Sequence, residues 1–169
     1  MLYINPVEDI KLTNWWKYVD SGMSELMAQS FTLLDKFQES NSPKQHDYSF
    51  IVFPAAKAYE GFLKKLFLDL KLINRQQFYG DHFRIGRAMS PTLPKRYRIG
   101  WVYGKLAAYC GGEELPIRMW EVWKRARNRV FHYFPQHFQC LNYEEAKVLV
   151  TAIADMMEES LAGCKVAPA

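Results

Sequence analysis

Arg127 and His132, in the segment RARNRVFHYF, are the residues of this chain whose types and spacing best suit chemistry on a phosphate group. An arginine keeps its charge and offers five N–H donors in a planar fork, which matches two oxygens of a phosphate. A histidine titrates near neutral pH and can give or take a proton during a reaction. Asn128 lies four residues before His132, close enough to contact it on a helix.

The position of Arg127 on its helix is unusual. On an ideal helical wheel it falls in the middle of an apolar stripe made by Trp120, Trp123, Val130, Phe131 and Phe134. A buried guanidinium needs a carboxylate, a phosphate or carbonyls to receive its donors, so Arg127 is either paired in the core or directed into a cleft. The simpler alternatives are a structural ion pair or stacking on Trp123. Arg127 and His132 lie roughly 140° apart on an ideal helix, so they converge only if the helix deforms before Pro135 or if they line two walls of one cleft.

The spacing of this pair is not distinctive by itself. Arg75 with His82, and Arg125 with His132, have similar separations. A histidine near a helix end commonly caps backbone carbonyls instead of catalysing a reaction. His132, His137 and Cys140 are potential metal ligands, but their spacing across Pro135 is unlike that of zinc motifs, so we expect no metal and no cofactor.

The elements that must position these residues are helices, because apolar residues recur with helical spacing along nearly the whole chain. We expect an all-α fold, an up-and-down bundle of four to five helices, in a single domain over residues 1–169 whose region 1–45 is also helical. The predicted helices cover residues 7–39 (unbroken, or interrupted at Ser21-Gly22), 48–73, 95–110, 115–133 and 142–161, with a loop at 41–43. Pro54 predicts that the second helix starts just before it or is kinked there.

Several residues are typical of helix ends. Asp47 or Ser49 is the expected cap of the second helix, and Gly111 is expected to stop the third. Asn142, followed by Glu145 three residues later, predicts a capping box at the start of the last helix. The amphipathic face of the second helix is expected to bury Val52, Tyr59, Phe62, Leu63, Leu66, Leu70 and Ile73.

The segment between the second and third helices is basic and rich in glycine and proline, which predicts an excursion with a short helix in it. It carries Arg84, Arg87, Lys95, Arg96 and Arg98. These cations could follow an RNA backbone, and the alternative is a solvated loop. The net charge of +4 permits a polyanionic partner without requiring one.

The composition is that of a soluble globular protein, with 49% hydrophobic and 24% charged residues in 169. The first residues do not resemble a signal peptide, and the apolar stretches are too short to span a membrane, so we expect a cytoplasmic protein. The three cysteines are widely spaced, which argues against a disulfide framework and favours a reducing compartment.

The Arg127-Asn128-x-x-x-His132 pattern resembles the Arg-x(4–6)-His motif of HEPN ribonucleases, small helical-bundle proteins of toxin–antitoxin, CRISPR and anti-phage systems. As in that family, the motif lies late on the penultimate helix. The earlier segment FPAAKAYEGFLKKLF resembles the catalytic domain of the RNase LS toxin, and the resemblance covers about residues 49–161. A basic-x-x-Glu element of that subfamily maps onto Lys57 and Glu60, although the expected basic residue there is arginine. Without the resemblance, Lys57, Glu60 and Lys64 would be ordinary ion pairs on a solvated helix flank.

The resemblance implies metal-independent cleavage of RNA through its 2′-hydroxyl. His132 would be the general acid or base, Arg127 would hold the phosphate, and Asn128 would orient His132 or bind phosphate. Glu60 would tune His132 or take the second proton role, and Lys57 would add positive charge. The family also implies a homodimer with the motif helices at the two-fold axis, and an antitoxin as a possible partner.

Two other interpretations stay open. The first is a HEPN-fold module that binds RNA or a protein partner without cutting. The second is an unrelated interaction bundle in which Arg127 forms a core ion pair, so that its loss would strongly destabilise the fold.

Overall fold

The computed structural model describes residues 6–38, 44–128, 130–132, 135 and 140–166, and every regular element within those ranges is helical. The predicted all-α bundle is therefore confirmed. The α-helices are α1 (Pro6–Ile10), α2 (Asn14–Tyr18), α3 (Ser21–Gln38), α4 (Ser49–Asp69), α5 (Arg75–Tyr79), α6 (Ile85–Met89), α7 (Tyr103–Tyr109), α8 (Glu114–Trp123) and α9 (Tyr143–Gly163). A 3₁₀ turn covers Lys95–Tyr97 and a π-helical turn covers Lys124–Asn128.

Helix α4 lies at the centre of the fold, where it packs against α3 and α9, and α8 also packs against α9. All seven apolar positions predicted for the buried face of α4 are buried. The same hydrophobic cluster includes Trp15 and Tyr18 of α2 and Met27 of α3. The N-terminal helices are thus part of the core that supports the rest of the bundle.

A buried serine from α3 bonds the backbone of α4 beside Pro54. Ser30 is fully buried; its hydroxyl donates to the Ile51 carbonyl at 2.8 Å and accepts from the Ala55 amide at 2.9 Å. The hydroxyl therefore bridges a carbonyl and an amide that are four residues apart, as a side chain inserted into a helix ladder does. Pro54 lies within α4 and not at its start.

The predicted start of α4, end of α7 and start of α9 agree with the structure. Asn142 and Glu145 form the expected capping box. The Asp47 carboxylate accepts from the amide of Ser49 at 3.0 Å, although the N-cap residue of α4 is Tyr48. After α7, Gly111 has φ +77°, a left-handed conformation that favours glycine.

The expected helical region over residues 7–39 is divided into α1, α2 and α3. The break considered at Ser21-Gly22 falls directly before it, at Val19 and Asp20, and Ser21 begins α3; a second break, between α1 and α2, was not predicted. The expected helix over residues 48–73 ends at Asp69, since Lys71 adopts a left-handed φ of 58°. The predicted loop at 41–43 lies outside the described residues.

Two further boundaries differ from the prediction around the basic excursion and the motif. The helix expected from residue 95 begins only at Tyr103, because Gly100 has φ +75° and the chain turns there. The excursion contains α5 and α6, where one short helix was expected. The helix expected over 115–133 is regular only to Trp123 and continues as the π-helical turn to Asn128.

Candidate functional site

The π-helical turn at Lys124–Asn128 is the local distortion that brings the two motif residues to one place. Such turns bond residue i to i+5 and rotate the residues after them relative to a regular α-helix. Residues 130–132 are no longer helical, and the Phe131 amide donates to the Arg127 carbonyl at 3.1 Å. Arg127 and His132 both line the same groove, and the helix is deformed between them, which is one of the two arrangements that the sequence left open.

The groove lies between α4 and this turn and has a volume of about 570 Å³. Four of the predicted site residues line it: Lys57, Glu60, Arg127 and His132. The remaining lining residues are Phe53, Ala56, Gly61, Lys64 and Phe131. Two segments separated by 63 or more residues in sequence thus supply one solvent-reachable site.

The ion pair between Arg127 and Glu60 connects the two walls of the groove. Arg127 Nε lies 3.0 Å from Glu60 Oε2, and the side chains are 43% and 28% exposed. The alternative of ordinary ion pairs along α4 is not what the structure has: within the described residues, Glu60 pairs across the groove and not with Lys57 or Lys64. Since only one edge of the guanidinium faces Glu60, its other N–H donors can still bind an anion.

The ring of Trp123 lies next to the guanidinium group of Arg127. Trp123 is 5% exposed, and the guanidinium carbon of Arg127 lies 5.6 Å from the ring centroid. Gly86 of α6 lies against the same ring, where a Cβ atom would come within 2.6 Å of it. The indole is therefore confined by the backbone of α6 and also lies next to the arginine.

The predicted apolar stripe around Arg127 is not a single buried face. Trp123 is buried, Trp120 and Val130 are half-buried, and Phe131 is 36% exposed. The ideal wheel does not apply because residues 124–128 form a π-helical turn and residues 130–132 are not helical. Phe134 and the side chain of Asn128 lie outside the described residues, so the predicted role of Asn128 stays a prediction.

Lys64 was not predicted as a site residue, although the sequence contained a signal for it. It follows Lys57 by seven residues, which places both on one face of α4. Among the described lining residues, Lys57, Lys64 and Arg127 give three cations against the carboxylate of Glu60. The net positive charge, with His132 exposed at the rim, suits an anionic ligand.

Exposed aromatic side chains lie between this groove and a neighbouring one. Phe53 and Phe131 are 52% and 36% exposed, and their ring centroids lie 5.0 Å apart. Both also line a neighbouring apolar groove of about 490 Å³, together with Phe50. We refer to Phe50, Phe53 and Phe131 as the aromatic flank.

The predicted RNA-binding residues of the excursion form a separate surface. Arg84 and Arg87 line a second groove of about 390 Å³ together with His82, and none of the five cations lines the described part of the Arg127 groove. Arg87 donates to the Tyr97 carbonyl, and Arg98 donates to the Leu93 carbonyl at 2.9 Å. These two arginines hold the excursion together, whereas Lys95 and Arg96 are exposed.

Within the described residues, no three histidine, cysteine or acidic side chains are grouped closely enough to hold a metal ion. His137 of the weighed metal set lies outside them. None of the described helices has the length and apolarity that crossing a membrane requires.

Comparison with known proteins identified no relative: no family model, curated protein or solved structure matches the chain.

Proposed function

We propose that the groove between α4 and the π-helical turn is the active site of a metal-independent endoribonuclease of the HEPN type. The observation that carries this proposal is the meeting of Arg127, His132, Glu60 and Lys57 in one solvent-reachable groove. Arg127 and His132 belong to the Arg-x(4–6)-His motif. Glu60 and Lys57 belong to α4, in the segment that carries the rest of the family resemblance.

In the proposed reaction the 2′-oxygen of RNA attacks the neighbouring phosphorus, and the bond from phosphorus to the 5′-oxygen of the next nucleotide breaks. A 2′,3′-cyclic phosphate and a 5′-hydroxyl result. His132 either takes the proton of the 2′-hydroxyl or gives a proton to the leaving 5′-oxygen, and solvent water carries the other proton. Arg127, Lys57 and Lys64 neutralise the non-bridging oxygens, whose negative charge increases in the transition state.

Glu60 takes a different role from the one that the resemblance suggested. Because its carboxylate contacts Arg127, we assign it to positioning the guanidinium rather than to proton transfer. Fixing the Nε edge leaves the terminal nitrogens directed at the phosphate, and a rotationally fixed arginine loses less entropy when RNA binds.

The proposed biological setting is a toxin or anti-phage nuclease of the cytoplasm, acting as a homodimer and held in check by an antitoxin protein. The aromatic flank supports the dimer, because exposed rings beside a polar groove are typical of protein interfaces.

The alternative is a HEPN-fold module that binds RNA or a protein partner without cutting. The same ion pair favours it, since Glu60 partly neutralises the arginine that a phosphate would need. Such a module would bind RNA saturably and yield no products.

The test is an RNA cleavage assay with purified protein, single-stranded RNA and excess EDTA. We expect cyclic-phosphate products, and a loss of at least about 100-fold in rate for His132→Ala and for Arg127→Ala. Arg125→Ala is the matched control, since Arg125 is exposed, lies in the same turn and has a similar spacing to His132. Equal rates for all three variants and wild type would contradict the site assignment; binding without products would favour the module.

A further inference from the structure

Two cysteine thiols face each other at the ends of α7 and α9. The Sγ atoms of Cys110 and Cys164 lie 2.7 Å apart, although the residues are 54 positions apart in sequence. Non-bonded sulfur atoms rarely approach so closely, and bonded ones lie about 2.0 Å apart. The fold therefore places the two thiols within reach of a covalent bond without a rearrangement of either helix.

The pair has one accessible and one protected member. Cys110 is half-buried at the C-cap of α7 and lines an open groove of about 480 Å³. Cys164, the C-cap residue of α9, is 1% exposed. A small reagent in the groove can reach the first sulfur, and the second lies directly behind it.

The environment of each thiol affects its pKa and therefore which of the two reacts first. Burial raises the pKa of both thiols, and the hydrogen bond from Cys164 offsets part of this rise at Cys110. Cys110 therefore ionises more readily than Cys164, and the thiolate is the nucleophilic form.

We propose that Cys110 and Cys164 are an oxidation site that a hydroperoxide converts into an intramolecular disulfide. The Cys110 thiolate attacks one peroxide oxygen, which gives a sulfenic acid and releases water or an alcohol after protonation. Cys164 then attacks the sulfenic sulfur, the S–S bond forms, and the hydroxyl leaves as water. Two thiols lose two electrons and two protons, and the peroxide takes them up.

The disulfide joins the end of α7 to the end of α9, and it does not touch the Arg127 groove. Closing a long chain segment limits the unfolded ensemble, so the oxidised protein is expected to melt at a temperature several degrees higher, on the order of 5 °C or more. This inference is independent of any nuclease activity.

The experiment exposes the folded protein to hydrogen peroxide in EDTA and then measures free thiols after denaturation. We expect the titre to fall from three thiols to one, and a peptide map to identify a Cys110–Cys164 link. Melting with and without dithiothreitol measures the stabilisation. Retention of all three thiols, or oxidation that stops at sulfinic acid, would overturn the proposal.

The third cysteine supplies the matched control. Cys140 is half-buried with its sulfur 3.5 Å from His46 Nε2, away from the pair. Cys140→Ser should form the disulfide at the wild-type rate, whereas Cys110→Ser should not form it. If Cys110→Ser still loses two thiols, the link runs through Cys140 and the assignment is wrong. Because Cys110 is only half-buried, this variant avoids the packing loss that a change at buried Cys164 risks.

Discussion

The Arg127–Glu60 contact is better suited to positioning than to stability. Both side chains are partly exposed, at 43% and 28%, and ion pairs in such surroundings usually contribute about 0–1 kcal/mol. A core ion pair would behave differently, because removing one partner would leave a buried charge without compensation. The exposure of Arg127 thus separates the cleft interpretation from the core interpretation that the sequence left open.

Replacing Arg127 with alanine should therefore lower the free energy of unfolding by no more than about 1 kcal/mol. Urea unfolding followed by circular dichroism measures it. Arg118→Ala is the matched control, since Arg118 pairs with Glu159 at 2.7 Å with similar exposure. A loss of about 3–5 kcal/mol for Arg127→Ala alone would instead support the structural ion pair.

At the level of elements, α4 depends on a contact that its own sequence does not provide. Pro54 lacks an amide hydrogen, and the neighbouring Ile51 carbonyl and Ala55 amide are satisfied by Ser30 of α3. This contact holds α3 against the first turns of α4, directly before the turn that carries Lys57 and Glu60.

Ser30→Ala should cost about 1–3 kcal/mol, because it leaves a buried donor and a buried acceptor without partners. Thermal or urea unfolding measures the loss. Ser24→Ala is the control on the same helix; its hydroxyl bonds only the Ser21 carbonyl at the surface, and we expect less than about 0.5 kcal/mol. Equal effects at both positions would show that the bridge contributes nothing particular.

Asp47 connects the start of α4 to the segment before α9. Partial burial alone would raise the pKa of this carboxyl, but hydrogen bonds from the Leu141 amide and from Ser49 outweigh it and lower the pKa below its ordinary value. A carboxyl with a depressed pKa in the folded state stabilises the fold above its unfolded pKa of about 3.9, and this contribution is lost as the pH falls through the folded pKa.

Asp47→Ala should accordingly lower stability by about 1–2 kcal/mol at pH 7, and the difference from wild type should shrink below about pH 4. Asp35 gives a contrast of opposite sign, because burial raises its pKa. Asp35→Asn should be neutral or slightly stabilising at pH 7, with the gain vanishing in acid. Urea unfolding across pH 3–7 tests both, and a pH-independent deficit for Asp47→Ala would contradict the linkage.

At the scale of the whole molecule, periodicity and capping chemistry were enough to predict the bundle. The buried face of α4 and the Asn142–Glu145 box follow from local rules, and the structure has both. The π-helical turn was not predicted, because the periodicity of residues 115–133 fits a regular α-helix and contains no local signal for the extra residue of a π-helical turn. That Lys57 and Glu60 lie near the motif was predicted only through the family resemblance, since no periodicity or spacing links residues so far apart. The proximity of the Cys110 and Cys164 thiols was not predicted, because no local sequence pattern relates the ends of α7 and α9.

The aromatic flank makes the homodimer testable as part of the proposed function. Phe53 and Phe131 are exposed beside the groove, so a symmetric contact there would bury apolar surface and bring two grooves together. We expect sedimentation at micromolar concentration to give twice the chain mass, and Phe53→Glu to give the monomer mass with an unchanged circular dichroism spectrum. Ile99→Glu is the control, since Ile99 is 86% exposed on the excursion and should leave the dimer intact. A wild-type protein that sediments as a monomer would remove the dimer from the proposal and leave each groove to act alone.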